Sequence, residues 1–262
     1  MAQRRRTRTS LILLCAFGTA LVANAAEAKG TKVVKATFAK DVTKDFKAKQ
    51  PGSKFAGTET VFLLLEFSGR PKKGVVESIF NFRGEEIART NVNFETVNDG
   101  LLFSFGANTF VKFFFKPDPK NPLPIGEFIV DVTVDKAKVG SYPFSIVPPA
   151  GAIATKIASA KIARKVDENN AVIEPGTVFA PADTVYLAFT GDYGKGSWLE
   201  AQWTVGGKVD PNGTRSITLK ENAKGQPGSF SFVPSGGWPI GAHSVELTVN
   251  AKSIGKYAFT VK

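Results

Sequence analysis

Cysteine is almost missing from this 262-residue chain. The single Cys15 lies in an apolar run near the start, so no disulfide can staple the remaining residues, and each folded unit must be held by its own core. Histidine is as scarce. His243 alone would have to serve a zinc-type site, which draws its ligands from Cys and His, or a Ser-His-Asp arrangement. No nucleophile-elbow sequence is present. We therefore expect no catalytic set, no metal and no cofactor. Beyond residue 8 only five arginines occur, Arg70, Arg83, Arg89, Arg164 and Arg215. Nucleic-acid readout favours Arg forks and stacked aromatics, so nucleic acid is not an expected partner. After Val22 no apolar run is long enough to cross a bilayer, and no stretch shows convincing helical periodicity.

The first 25 residues are a targeting segment. Arg4, Arg5, Arg6 and Arg8 precede an apolar run from Leu11 to Val22, and Ala23-Asn24-Ala25 is a small-x-small cleavage signal. Ile12-Leu13-Leu14 stands where a lipid-attachment site would need small residues, so Cys15 is not a lipid anchor. Removing the leader takes four arginines from the formal +11 and leaves +7. A secreted, Lys-rich chain without disulfides points to a bacterial periplasm or exterior.

The mature part is one module written twice. Phe55-Ala56-x-x-Glu59-Thr60-Val61-Phe62-Leu63 recurs 124 positions later as Phe179-Ala180-x-x-Asp183-Thr184-Val185-Tyr186-Leu187. Pro124-Ile125-Gly126 and Gly140-x-Tyr142-x-Phe144-x-Ile146 recur 115 positions later, as Pro239-Ile240-Gly241 and Gly255-x-Tyr257-x-Phe259-x-Val261. Repeat 1 spans 29–147 and repeat 2 spans 153–262. The Pro-rich linker 148–152, Pro148-Pro149-Ala150-Gly151-Ala152, restricts the angle between them.

The pattern is all-β. Thr60 to Phe67 and Thr184 to Thr190 are short apolar runs suited to central strands. Phe128-x-Val130-x-Val132-x-Val134 and Val245-x-Leu247-x-Val249 alternate strictly, and each leads through a polar turn into a closing hairpin. Turn signals such as Arg83-Gly84, Asn98-Asp99-Gly100, Gly206-Gly207 and Asp210-Pro211-Asn212-Gly213 recur every 8–12 residues. About seven strands in about 110 residues is the immunoglobulin-like sandwich pattern. We expect two tandem immunoglobulin-like antiparallel β-sandwiches related by internal duplication. Trp238-Pro239-Ile240-Gly241-x-His243-x-Val245, running on to Val261, resembles the Trp-Pro-x-Gly closing hairpin of immunoglobulin-like modules in bacterial secreted and periplasmic proteins. Leu123-Pro124-Ile125-Gly126 is the second copy, with Leu123 in place of the Trp. The resemblance implies a fold, and with it a binding or scaffold role.

Comparing each unusual residue with its twin removes most candidates for chemistry. His243 matches Phe128 and fills an aromatic packing slot. Glu77 matches Glu200, and Asp131 matches Glu246; residues present in both halves are structural before they are catalytic. A carboxylate hydrolase would need unmatched acids such as Glu95 and Asp192 to share a cleft. Trp203, Trp198 and Trp238 match Phe80, Val75 and Leu123, so packing is the default, although Trp198, Trp238 and Tyr193 also form a candidate carbohydrate-stacking platform. Lys29, Lys32, Lys35, Lys40, Lys44, Lys47, Lys49 and Lys54 crowd 26 residues. They serve either as a solvated edge that blocks edge-to-edge pairing or as a site for an anionic polysaccharide or other envelope polymer.

The asymmetry between the halves is the strongest pointer. Repeat 1 holds 16 Phe and repeat 2 holds five, and repeat 1 carries a net nine extra residues in the same region. The surplus includes Phe94, Phe103, Phe105, Phe110, Phe113, Phe114 and Phe115. In a strand Phe113 and Phe115 point one way and Phe114 the other, and one core cannot bury both sets. Phe114 therefore faces either the other repeat or a partner. The expected function is non-enzymatic binding of an envelope or extracellular protein through Phe103, Phe105, Phe113, Phe114 and Phe115.

Overall fold

The computed structural model describes residues 32–95 and 100–262. The leader with its cleavage site, Cys15, Lys29, and Asn98-Asp99 of one expected turn lie outside the described residues. Repeat 1 contains β1 (Val33–Val42), β2 (Ala48–Pro51), β3 (Lys54–Ala56), β4 (Val61–Ser68), β5 (Val75–Phe82), β6 (Glu85–Asn93), β7 (Leu102–Phe105), β8 (Asn108–Phe115), β9 (Gly126–Val134) and β10 (Ala137–Val147). Repeat 2 contains β11 (Lys156–Val166), β12 (Val172–Pro175), β13 (Val178–Phe179), β14 (Val185–Tyr193), β15 (Trp198–Val205), β16 (Lys208–Thr218), β17 (Ala223–Phe232), β18 (Gly241–Val249) and β19 (Lys252–Val261). The described chain has no helix.

Each repeat is a sandwich of two sheets. In repeat 1 the orders are β2-β1-β4-β8-β7 and β3-β10-β9-β5-β6; in repeat 2 they are β12-β11-β14-β17 and β13-β19-β18-β15-β16. The first strand of each repeat thus lies in one sheet, and a short continuation crosses to pair in parallel with the last strand of the other. This is an immunoglobulin-like connectivity, in which first, second and fifth long strands face third, fourth, sixth and seventh. There are more strands than seven per repeat because the opening segment breaks into three pieces and repeat 1 adds β7. Nine strands have a twin in the other repeat; β7 has none, and it accounts for part of the extra chain of repeat 1.

Period-two alternation builds the cores. Val61, Leu63, Leu65 and Phe67 of β4 face Phe80 of β5 and Val130 of β9 in repeat 1; Val185, Leu187 and Phe189 of β14 face Trp203 and Val245 in repeat 2. The twin assignment holds at the level of register: Phe80 pairs with Val130 as Trp203 pairs with Val245, and Phe128 pairs with Phe144 as His243 pairs with Phe259. The closing hairpins turn at Asp135-Lys136 and Asn250-Ala251, all four at positive φ, the left-handed geometry that matches strand twist in two-residue hairpins. Asp210-Pro211-Asn212-Gly213 differs from expectation. It does not reverse the chain but bulges out within β16 between the Val209 and Thr214 pairings, closed locally by the Asp210 carboxylate accepting from the Asn212 amide at 2.8 Å.

Phe113 corrects the expected binding surface. It is 1% exposed and belongs to the core of repeat 1, as the inward register of β8 requires. Phe115 packs partly buried against the same core, with its ring 5.5 Å from that of Phe80. Phe114, between them, is 47% exposed. Phe113→Ala is expected to destabilise repeat 1 by about 3–5 kcal/mol, whereas Phe114→Ala should cost less than about 1 kcal/mol; urea unfolding of the two variants measures the contrast.

Candidate functional site

The outer face of the first sheet of repeat 1 is apolar, although the sheet already buries its inner face. On β4 the outward residues are Phe62, Leu64 and Glu66; on β8 they are Phe110, Lys112 and Phe114, each directly opposite its β4 partner. β7 extends the face, placing Phe103 beside Phe110 and Phe105 beside Asn108. Phe114 packs on Phe62 with ring centroids 5.7 Å apart. Phe103 stacks on Phe105 at 6.5 Å. Phe105 is 72% exposed.

Phe46 joins these pieces. The β1–β2 hairpin folds back over the sheet, and Phe46, held at φ 55, is buried with Val42 and Leu64 beneath it. Its ring stacks on Phe103 at 5.5 Å, and the Lys112 ammonium lies 5.3 Å from its centroid. Phe62 and Phe110 pack on the same small cluster, which makes the aromatic face continuous from Phe114 to Phe105. A groove of about 430 Å³ runs along it, floored by Leu64 and Phe110 and bordered by Lys35, Lys47 and Glu66.

Repeat 2 presents a different outer face. Tyr186, Ala188 and Thr190 of β14 stand opposite Ser231, Ser229 and Pro227 of β17, in the positions of Phe62, Leu64 and Glu66 opposite Phe114, Lys112 and Phe110. Phe110 and Phe114 thus stand where repeat 2 has Pro227 and Ser231, while Phe62 keeps an aromatic twin in Tyr186. Sequence reasoning missed Phe46, Phe62 and Leu64, and counted Phe110 in the surplus without placing it in the site. The signal was present in the apolar run Val61 to Leu65, which lacks the alternation of a strand with one wet face.

The lysines are divided. Lys40 bonds Glu59 at 2.7 Å and Lys49 approaches Asp41 at 3.4 Å. Lys32, Lys35, Lys44 and Lys47 are exposed, and among the described residues they have no carboxylate at ion-pair distance. Glu59 titrates below the usual carboxylate range: partial burial opposes this, but the Lys40 ammonium and the Ala56 amide outweigh it.

The carbohydrate platform does not assemble. Trp238 is in the core of repeat 2, its indole N–H donating to the Asp183 carbonyl at 2.9 Å. Tyr193 is buried there too, donating its hydroxyl to the Gln226 carbonyl at 2.8 Å. Trp198 lies instead at the junction between repeats, its ring 5.8 Å from Phe82 and 5.4 Å from the Arg83 guanidinium. Tyr193 sits on the inward register of β14, and Trp238, in the loop before β18, turns edge-on to Phe232 at 5.5 Å and Phe259 at 5.0 Å, so both rings fill the sandwich.

The acids are also committed to structure. Glu200 is 5% exposed and accepts from Arg83 at 2.8 Å, a bond between the two repeats. Arg83 reaches it from a left-handed Arg83-Gly84 turn at the tip of the β5–β6 hairpin. Glu77 meets Arg89 and Thr133, and Asp131 meets Lys138 at 2.8 Å. Asp192 accepts from the Gly225 amide, and no contact among the described residues joins it to Glu95. His243 donates from Nε2 to the Pro239 carbonyl at 2.8 Å and accepts at Nδ1 from the Gly206 amide at 3.3 Å, so both ring nitrogens are occupied. Among the described residues no group of three or more His, Cys, Asp and Glu side chains is placed to hold a metal ion.

Arg83→Ala should lower the stability of the two-repeat chain by about 1–2 kcal/mol, since it strands the Glu200 carboxylate. Adding Glu200→Gln should recover part of that loss, giving a non-additive double-mutant cycle in thermal unfolding. Burial pushes the Tyr193 phenol up to about 12, above the value near 10 of an unfolded chain. Its contribution to stability is therefore complete below pH 10 and is lost as the pH rises towards 12. Tyr193→Phe should flatten that part of the stability profile of repeat 2, measured by denaturant unfolding between pH 9 and 12.

No family model matches the chain, and no curated protein matches it. Among solved structures, dimeric latent PorU from Porphyromonas gingivalis is similar at 11% identity over 88% of this chain and 20% of that one, with a TM-score of 0.27. The human OSCAR ligand-binding domain is similar at 12% identity over 80% of this chain and 94% of that one, with a TM-score of 0.23. The chain thus spans about a fifth of the length of the PorU chain. At these TM-scores neither likeness carries an argument; the fold assignment rests on the strand order and register described above.

Proposed function

We propose that this is a non-enzymatic, extracytoplasmic binding protein whose partner is an envelope or extracellular protein, docked on the outer aromatic face of repeat 1. One observation carries the reading: Phe114 and Phe105 stay exposed on a continuous aromatic surface, where repeat 2 sets Ser231 opposite Tyr186 and has no strand matching β7. Contiguous exposed apolar patches mark interaction sites, and aromatic residues dominate the energetics of docking. Lys35, Lys47 and Lys112 outnumber the one acid at the groove, Glu66, so the complementary partner surface is apolar with carboxylates at its margin. The secreted location rests on the leader pattern of residues 1–25.

An anionic polysaccharide on the N-terminal lysines is the second reading, supported by the exposed Lys32, Lys35, Lys44 and Lys47. Salt separates the two, because binding that rests on counterion release weakens steeply with ionic strength. Residues 26–262 immobilised against envelope extract should retain a defined protein at low and high salt. Phe114→Ser should reduce that capture at least tenfold while leaving the unfolding free energy within about 1 kcal/mol of the parent. Capture that vanishes in high salt and survives Phe114→Ser would replace the aromatic face with the lysines.

A further inference from the structure

A second recess shares no residue with the aromatic face. It lies at the junction, a cleft of about 530 Å³ between the loop after β8, the linker and the turns that precede β15 and follow β16. We infer that this junction cleft binds an aliphatic carboxylate, with the alkyl chain along Leu123, Ile125, Ile146 and Leu219 and the head group among Lys120, Lys195 and Lys220.

The lining excludes other chemistries. Among the described residues no aromatic side chain lines the cleft, so there is no ring on which a sugar or a base would stack. Much of the lining has no backbone amide to offer a peptide. Pro119, Pro122 and Pro149 have no N–H, and three other amides are already committed: Leu123 to the Gly57 carbonyl, Gly196 to the Leu219 carbonyl and Leu219 to the Ser197 carbonyl. What the walls offer is aliphatic surface. At the margin stand three lysines, drawn from both repeats, and no carboxylate among the described residues lines the cleft. The nearby Asp118 is turned to its own loop, accepting from the Lys120 amide at 2.9 Å and from the Asn121 side chain at 3.3 Å. Apolar walls with a few convergent charged groups, at a boundary between domains, are the common form of a small-molecule site, and the volume is in the usual range.

The junction itself is held in place. Gly196, at φ +82, lies where a Cβ would come within 2.8 Å of Pro149, so the linker and the turn before β15 are in direct contact. The Arg83–Glu200 bond and the Phe82–Trp198 contact tie the same two repeats together nearby. A ligand therefore meets walls from both repeats that are already set, with little ordering left to do on binding.

The test is calorimetric titration of residues 26–262 with hexanoate, octanoate and decanoate below their micellar concentrations, alongside decanol and decyltrimethylammonium. One site per chain is expected for decanoate, with affinity rising about fourfold per methylene, and no binding of the cation. The triple substitution Lys120→Gln, Lys195→Gln, Lys220→Gln alters exposed side chains only. It should weaken decanoate binding at least tenfold without changing that of decanol. Phe114→Ser should leave decanoate binding unchanged, so failure here and failure of the docking face are separable. Absence of decanoate binding, equal binding of the cation, or indifference to the triple substitution would overturn the inference. Loss of decanoate binding in Phe114→Ser would also overturn it, by placing the amphiphile on the outer face.

Discussion

Period-two alternation along β8 governs what repeat 1 presents to its surroundings. A strand can give alternate residues to one core only, and Val111 and Phe113 already fill it. Phe110 and Phe114 must then lie on the opposite face, whatever their hydrophobicity. The molecule answers part of that demand itself: the β1–β2 hairpin lays Phe46 across Leu64 and forms a small second cluster outside the sheet. The cover stops there. Phe46 reaches Phe103 but leaves it partly exposed, Phe105 and Phe114 remain beyond its reach, and β7 widens the face further. One sheet that is apolar on both sides thus yields an aromatic surface half roofed by its own hairpin and bordered by lysines.

The junction between repeats depends on a different constraint, the cost of an isolated buried charge. Glu200 is almost enclosed on β15, and its counter-charge comes from the other repeat, on a turn that holds Arg83 at positive φ. In repeat 1 the twin acid Glu77 finds Arg89 on its own neighbouring strand. The two repeats thus share the acid and differ in its partner, an intradomain ion pair in repeat 1 and one that links domains in repeat 2. Trp198 takes the same course. It occupies the position of Val75 and packs against Phe82 and Arg83 across the boundary, where an aromatic ring closes the gap that a valine would leave.

Twins correspond wherever a residue serves its own sandwich. His243 in the slot of Phe128, and Trp203 in that of Phe80, occupy matching registers because both repeats use the same inward positions. Twins carry no information where a residue serves something outside its own sandwich. Arg83, Trp198 and the three cleft lysines belong to the boundary, and nothing in their local spacing marks them. Trp238 and Tyr193 were expected, with Trp198, to form a surface platform, yet both rings point inward. Phe46 was equally hidden, a lone aromatic in a lysine-rich hairpin whose role emerges only when the hairpin folds back.

The amino-acid order alone determined the strand content, the duplication, the closing hairpins and the opposition of Phe113 to Phe114. These are local properties, set by the two-residue period of a strand and by the turn residues between runs. Tertiary structure decided which of the two Phe registers met the core, how far Phe46 covers the other, and which side chains of the two repeats meet at the junction. Those outcomes depend on packing between segments far apart in the chain, where shape and enclosure set the result and sequence spacing carries no distance information.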